Sequence, residues 1–140
     1  MPTLQKIPDF AEQVLRGLHN FGSHVLKVAL TNTAPAASAA VLADIAQVSG
    51  GTYTAGGYVL DAVVLAETAG TAKITIADEV ITASGGAVGP FKFAVVYNDT
   101  AINKPLIGYV DYGSSITLAD GETLTLDFDA SGGVLTLAWL

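Results

Sequence analysis

The chain contains no cysteine and a single tryptophan, and in 140 residues it carries only six lysines and arginines together. The missing cysteines exclude a disulfide framework, a thiolate metal site and a cysteine nucleophile, and leave the redox compartment open. Scarce cations and a net charge of −7 argue against nucleic-acid binding, which needs clustered Lys and Arg on phosphates. They argue equally against an anionic membrane surface. Residues 1–27 hold Lys6, Arg16 and Lys27 against Asp9 and Glu12, whereas from residue 28 onward Lys73, Lys92 and Lys104 face eleven acids. No uninterrupted apolar run reaches the ~18 residues of a membrane span, and no basic stretch followed by an apolar one opens the chain. The sequence therefore predicts neither a span nor a signal peptide. Charged residues make up 14% of the chain and apolar ones 51%, against about 25% charged in an ordinary soluble domain. A surface so short of charge is expected to meet another protein.

Chemistry is sparse as well. The two histidines, His19 and His24, stand five residues apart, which is not the i, i+4 spacing of a helical metal site. A capping or surface role is expected for both. No Gly-x-Ser-x-Gly elbow is present to pair with either of them. Asp127-Phe-Asp129-Ala-Ser131-Gly132 imitates the opening of a calcium loop, but position 12 falls on Ala138 instead of the required glutamate. A hairpin turn in which Asp129 bonds its own backbone is the expected outcome. Gly85-Gly86-Ala87-Val88-Gly89 lacks the lysine of a phosphate loop. Asn98-Asp99-Thr100 matches a glycosylation acceptor triplet, a pattern that arises often by chance. The carboxylates Asp61, Asp78, Glu79, Asp99, Asp111, Asp120 and Glu122 include no pair singled out by spacing for sugar hydrolysis. No enzymatic site, cofactor or metal is predicted.

What is abundant is alternating sheet. Residues 91–112 form two apolar runs around the polar connection Asn98–Pro105. Period-two alternation places Phe91, Phe93, Val95 and Tyr97 on one face and Lys92, Ala94 and Val96 on the other. Leu106, Gly108, Val110 and Tyr112 then alternate with Ile107, Tyr109 and Asp111. The pair reads as a central hairpin apolar on both faces, one face against the domain and the other against a partner. Further strands are predicted at 25–31, from Tyr58 to Glu67, 71–77, 79–83, around Ile116 and Leu118, at 122–129 (with Leu124, Leu126 and Phe128 inward), and from Leu135 to Trp139. Residues 36–48, after Pro35, read as helical turns or a compact loop over the sheet. At the amino terminus Phe10, Val14, Leu15 and Leu18 share one face of a short amphipathic helix, with a stop at Asn20 and Gly22. The expected architecture is an N-terminal helix or arm over 1–22 and an all-β, jelly-roll-like β-sandwich of about eight strands over 23–140.

Several stretches in consistent order over residues 25–138 resemble the head decoration (cement) and related small structural proteins of tailed phages. They are Leu26–Leu30, Ala43–Gly57, Ala94–Thr100, Lys104–Gly113 and Gly121–Leu137. The resemblance implies a non-enzymatic sandwich on the outside of a phage head. Its partners would be an HK97-type major capsid protein and a second copy of itself, as a dimer rather than a trimer. Aromatic side chains often dominate interfaces, so the contact candidates are Phe10, Leu18, Tyr53, Tyr58, Tyr97, Tyr109, Tyr112 and Trp139, with the sandwich core as the competing place for each aromatic. The alternative is a tail-fibre or adhesin-type sandwich that binds a carbohydrate or receptor, for which Tyr53, Tyr97 and Asn98 would have to form an exposed platform.

Overall fold

The computed structural model describes residues 3–138. Ten strands are present: β1 Gln5–Lys6, β2 Leu26–Thr31, β3 Tyr58–Val59, β4 Val64–Thr68, β5 Thr71–Thr75, β6 Glu79–Thr82, β7 Val88–Asn98, β8 Leu106–Leu118, β9 Thr123–Leu126 and β10 Leu135–Ala138. They form a five-stranded sheet in the order β1-β8-β7-β2-β3, a three-stranded sheet β10-β5-β4 and a two-stranded sheet β6-β9. Every pairing is antiparallel. The protein is all-β, as the alternation predicts, although its strands divide five, three and two instead of making a simple set of about eight.

One face of the five-stranded sheet packs on both smaller sheets. Leu26, Val28, Leu30, Phe91, Ala94, Val96, Ile107 and Val110 join Ile74 of β5, Ile81 of β6, Leu126 of β9 and Leu135 of β10 in one cluster. The opposite face carries a second cluster of Ala29, Val95, Tyr97 and Leu106, closed by Ile7, Ala39 and Ile45. The cover is the chain's own 36–48 segment, which holds the 3-10 turn Leu42–Asp44. Asp44 caps that turn by accepting from the Ala40 and Val41 amides at 2.9 and 3.2 Å. Residues 36–48 thus lie over the sheet as expected, but they fill the place assigned to a partner. The second face of the central hairpin is covered from within.

Three features of the alternation need correction. The register shift between Phe91 and Phe93 resets the parity of β7, and the one opposite Val96 and Tyr97 inserts Ile107 into β8; each is a bulge, which moves the following side chains of its strand to the other face. Phe91 therefore lies in the first cluster while Val95 and Tyr97 lie in the second. Ile107 likewise packs in the first cluster and Tyr109 against the second. The hairpin strands are also longer than 91–112, since β7 begins at Val88 and β8 continues unbroken to Leu118. Finally, the single strand expected from Tyr58 to Glu67 is two. Tyr58–Val59 adds to the edge of the large sheet beside β2, and Val64–Thr68 belongs to the three-stranded sheet. Ala62, at φ 50°, turns the chain between them. Gly57 explains how the first piece comes so close: its φ is +77°, and a Cβ there would collide with the carbonyl of Val28.

The amino-terminal segment is stitched into the sandwich. Gln5 and Lys6 pair with Tyr109 and Gly108, a close approach that leaves no room for a Cβ at residue 108, which would stand 2.6 Å from the Gln5 carbonyl oxygen. The helix that follows, α1, spans Phe10–Leu15 only. At six residues it cannot persist alone, and Phe10 anchors it in the main cluster. The amphipathic spacing holds only in part: Phe10 is buried, whereas Val14, Leu15 and Leu18 are 36%, 90% and 41% exposed.

Candidate interaction surface

The exposed side of α1 faces the three-stranded sheet across an open apolar groove of about 660 Å³. One wall comes from Ile7, Phe10, Val14, Leu15 and Phe21, and the other from Leu65, Ile74, Leu135 and Leu137. Leu65 and Leu137 are themselves 48% and 68% exposed. The sheet stands out from the body because β4 is an edge strand whose only neighbour among the described residues is β5. The β4–β5 turn is tight, with Ala69 and Gly70 both at positive φ, the backbone of a two-residue hairpin. All five residues of β4 are exposed, so its free edge presents unpaired backbone donors and acceptors beside apolar side chains. Contiguous exposed apolar surface of this kind makes the groove the candidate site of interaction. Composition alone does not locate it. The local signal was the run Val63-Val64-Leu65, apolar at both parities in a strand that lacks a second neighbour.

The aromatic candidates do not gather on this surface. Tyr53 and Tyr97 are core residues, each spending its hydroxyl inside the domain. Tyr53 donates to Gln47 Oε1 at 2.6 Å and accepts from the Leu30 amide, while Tyr97 donates to the Gly56 carbonyl at 2.5 Å. Burial, with Asp99 and Tyr53 adding to it, pushes the Tyr97 hydroxyl up to about 12. Tyr58 and Tyr112 are half-buried against the first cluster, their hydroxyls enclosed without a partner among the described residues. Burial raises the Tyr112 hydroxyl to about 12. Tyr109 lies half-buried on the other face, edge-on to Phe93, and donates to Gln5 Oε1. Phe10 forms part of the groove wall but is itself buried, and Leu18 stays exposed nearby. Trp139 lies outside the described residues. Of the seven candidates among the described residues, Phe10 alone lines the groove. Leu15, Leu65 and Leu137 were not among them.

The polar features resolve as structural. Asp129 Oδ1 accepts from the Ser131 and Gly132 amides at 2.9 and 2.8 Å and from the Ser131 hydroxyl, closing the expected turn. Those bonds hold its carboxyl below the usual range. Among the described residues no group of three or more His, Asp or Glu side chains could hold a metal ion, and no helix is long and apolar enough to cross a membrane. Asn98 is fully buried, which keeps the glycosylation triplet out of reach in the folded chain. The histidines depart from the expected surface or capping role: both hydrogen-bond Asn98 through their Nδ1 atoms, His19 at 3.1 Å and His24 at 2.8 Å. With Tyr53, Tyr97 and Asn98 all buried, the platform required for glycan binding at those positions is lacking.

Compared with family models, with curated proteins and with solved structures, the chain finds no match.

Proposed function

We propose that this protein is a non-enzymatic, jelly-roll-like decoration (cement) protein of a phage head, bound to the outside of an HK97-type shell. It would contact the major capsid protein and a second copy of itself. The observation that carries this reading is the apolar groove between α1 and the three-stranded sheet, with Leu15 at 90% exposure on its rim. The large sheet has both faces covered by the chain itself, whereas Val14, Leu15, Val64, Leu65 and Leu137 stay exposed together on α1 and the three-stranded sheet. A standard contact buries on the order of 800 Å² per partner. Weak contacts repeated over a lattice hold through their number, and a patch of modest size is enough for that purpose. An acidic body without a basic stripe suits protein surfaces better than nucleic acid. The ordered resemblance over residues 25–138 supplies the identity of the partner, and the exposed groove supplies a place to bind it.

The test is to purify intact particles and count copies of this chain relative to the major shell protein. Hundreds of copies per particle, released together with a loss of head stability, are the expected result. A handful of copies would assign it to the tail or a fibre instead, and absence from particles would end the virion reading.

A further inference from the structure

The buried amide of Asn98 fixes the position of every proton in a small cluster. Its Oδ1 accepts from the Thr100 and Ala101 amides at 3.0 and 3.1 Å. Backbone N–H groups can only donate, so this atom is the oxygen and the other is the NH₂. That NH₂ points at Nδ1 of His19 and at Nδ1 of His24. Both Nδ1 atoms must therefore accept, and both rings are neutral with their proton on Nε2. The assignment continues outward. His19 Nε2–H donates to Gln13 Oε1 at 2.8 Å, and Gln13 Nε2 donates to Asp9 Oδ2 and to the Ala40 carbonyl. His24 Nδ1 also accepts from the Asn20 amide.

We propose that His19, His24 and Asn98 form an acid-released latch, which ties residues 9–24 to the end of β7 while both imidazoles are neutral. Adding a proton to either Nδ1 sets N–H against N–H. Asn98 cannot turn its amide over in response, because its oxygen holds the 98–101 turn. The charged groups on the surrounding elements are already engaged. Glu12 pairs with Arg16 on the helix, and Asp99 pairs with Lys27 of β2 and Lys104 of the β7–β8 loop. Asp9 is bonded to Gln13, and Asp44 to the cover's own amides. Lys6 on β1 adds only positive charge. Among the described residues no carboxylate accepts a hydrogen bond from either ring. Two contacts act the other way: His19 stacks on Phe21, centroids 5.4 Å apart and planes 11° apart, and lies tilted against Phe10 at 5.3 Å, and an aromatic face favours a cation. The ring is nevertheless held down to about 4, by burial first and His24 second. The latched segment carries Phe10, Val14, Leu15 and Phe21, so the device governs one wall of the apolar groove whatever that groove binds.

Amide hydrogen exchange on the full-length protein tests this, with rates corrected for the intrinsic effect of pH. Protection of residues 10–24 should fall by about tenfold or more between pH 7 and pH 4, a discounted share of the roughly 300-fold that a full shift from 6.5 to 4 would allow. Protection within β7 and β8 should hold. Replacing both rings, His19→Gln with His24→Gln, should make the arm's protection independent of pH. Asn98→Asp should reverse the sign, since a carboxylate accepts from protonated Nδ1 atoms: the arm becomes better protected in acid and His19 titrates at higher pH by NMR. Wild-type arm protection that ignores pH, or acid opening that persists in the double glutamine variant, would overturn the latch.

Discussion

β7 and β4 are both apolar strands, yet they meet opposite fates. From Phe93 to Asn98 every residue of β7 is buried, while every residue of β4 is exposed. The difference is neighbours, not composition. β7 has β2 on one side and β8 on the other, the small sheets on one face and the 36–48 segment on the other. β4 is paired with β5 on one side and, among the described residues, with no strand on the other. The chain thus uses its apolar residues in two ways, in a body that buries them and in an outer layer with α1 that leaves many of them exposed. A composition poor in charge reports only their sum.

The largest effect expected is in the body. Phe91 has no exposed surface and sits edge-on to Tyr112 inside the first cluster. Phe91→Ala should cost about 3–5 kcal/mol, the range for a deleted core aromatic, read from chemical denaturation of the isolated protein. A loss below about 1 kcal/mol would mean that the first cluster is not a packed core.

The second face gives the sharper comparison, because the sequence alone suggests that a partner covers it. Leu106 is fully buried there with Tyr97, Ile7 and Ile45. If the chain's own segment is the cover, Leu106→Ala should destabilise the isolated protein by about 2–4 kcal/mol. A negligible change alone, with a large change only in an assembly, would return that face to a partner.

Much of this arrangement was legible in the residues, and the failures have physical causes. Alternation in 123–128 put Leu124, Leu126 and Phe128 inward and Thr123, Thr125 and Asp127 outward, as found. Alternation over 91–97 separated Val95 and Tyr97 from Ala94 and Val96, as found, but put Phe91 on the wrong face, because a bulge resets parity without leaving a compositional trace. Tyr58–Glu67 reads as one strand because a period of two does not say which sheet a residue joins. The amphipathic spacing from Phe10 to Leu18 found a helix, but not that Gln13 turns inward to the histidine cluster and leaves Leu15 in the open. Aromatic type pointed to candidate contacts, yet Tyr53 and Tyr97 hold the core together through hydroxyls that only tertiary structure can satisfy.

The smallest effect on stability belongs to the outer layer, and there it is the most informative. Leu15 contributes little to the fold at 90% exposure, and Glu is close to Leu in helix propensity. A negative charge at the helix's last residue opposes its dipole, but in so short and exposed a helix only by a few tenths of a kcal/mol. Leu15→Glu combined with Leu137→Glu should therefore leave the denaturation midpoint within about 0.5 kcal/mol of the parent. The same pair places two carboxylates on opposite walls of the groove. An apolar partner surface would have to desolvate both, so binding to particles, or self-association in solution, should weaken by about tenfold or more. A stability loss above about 1 kcal/mol would show that these side chains are covered within the chain. Unchanged stability with unchanged binding would leave the groove a bystander and move the contact to another face. Unchanged stability with binding lost is the outcome that separates the two uses of apolar sequence, since no buried core residue can be charged at so little cost to the fold.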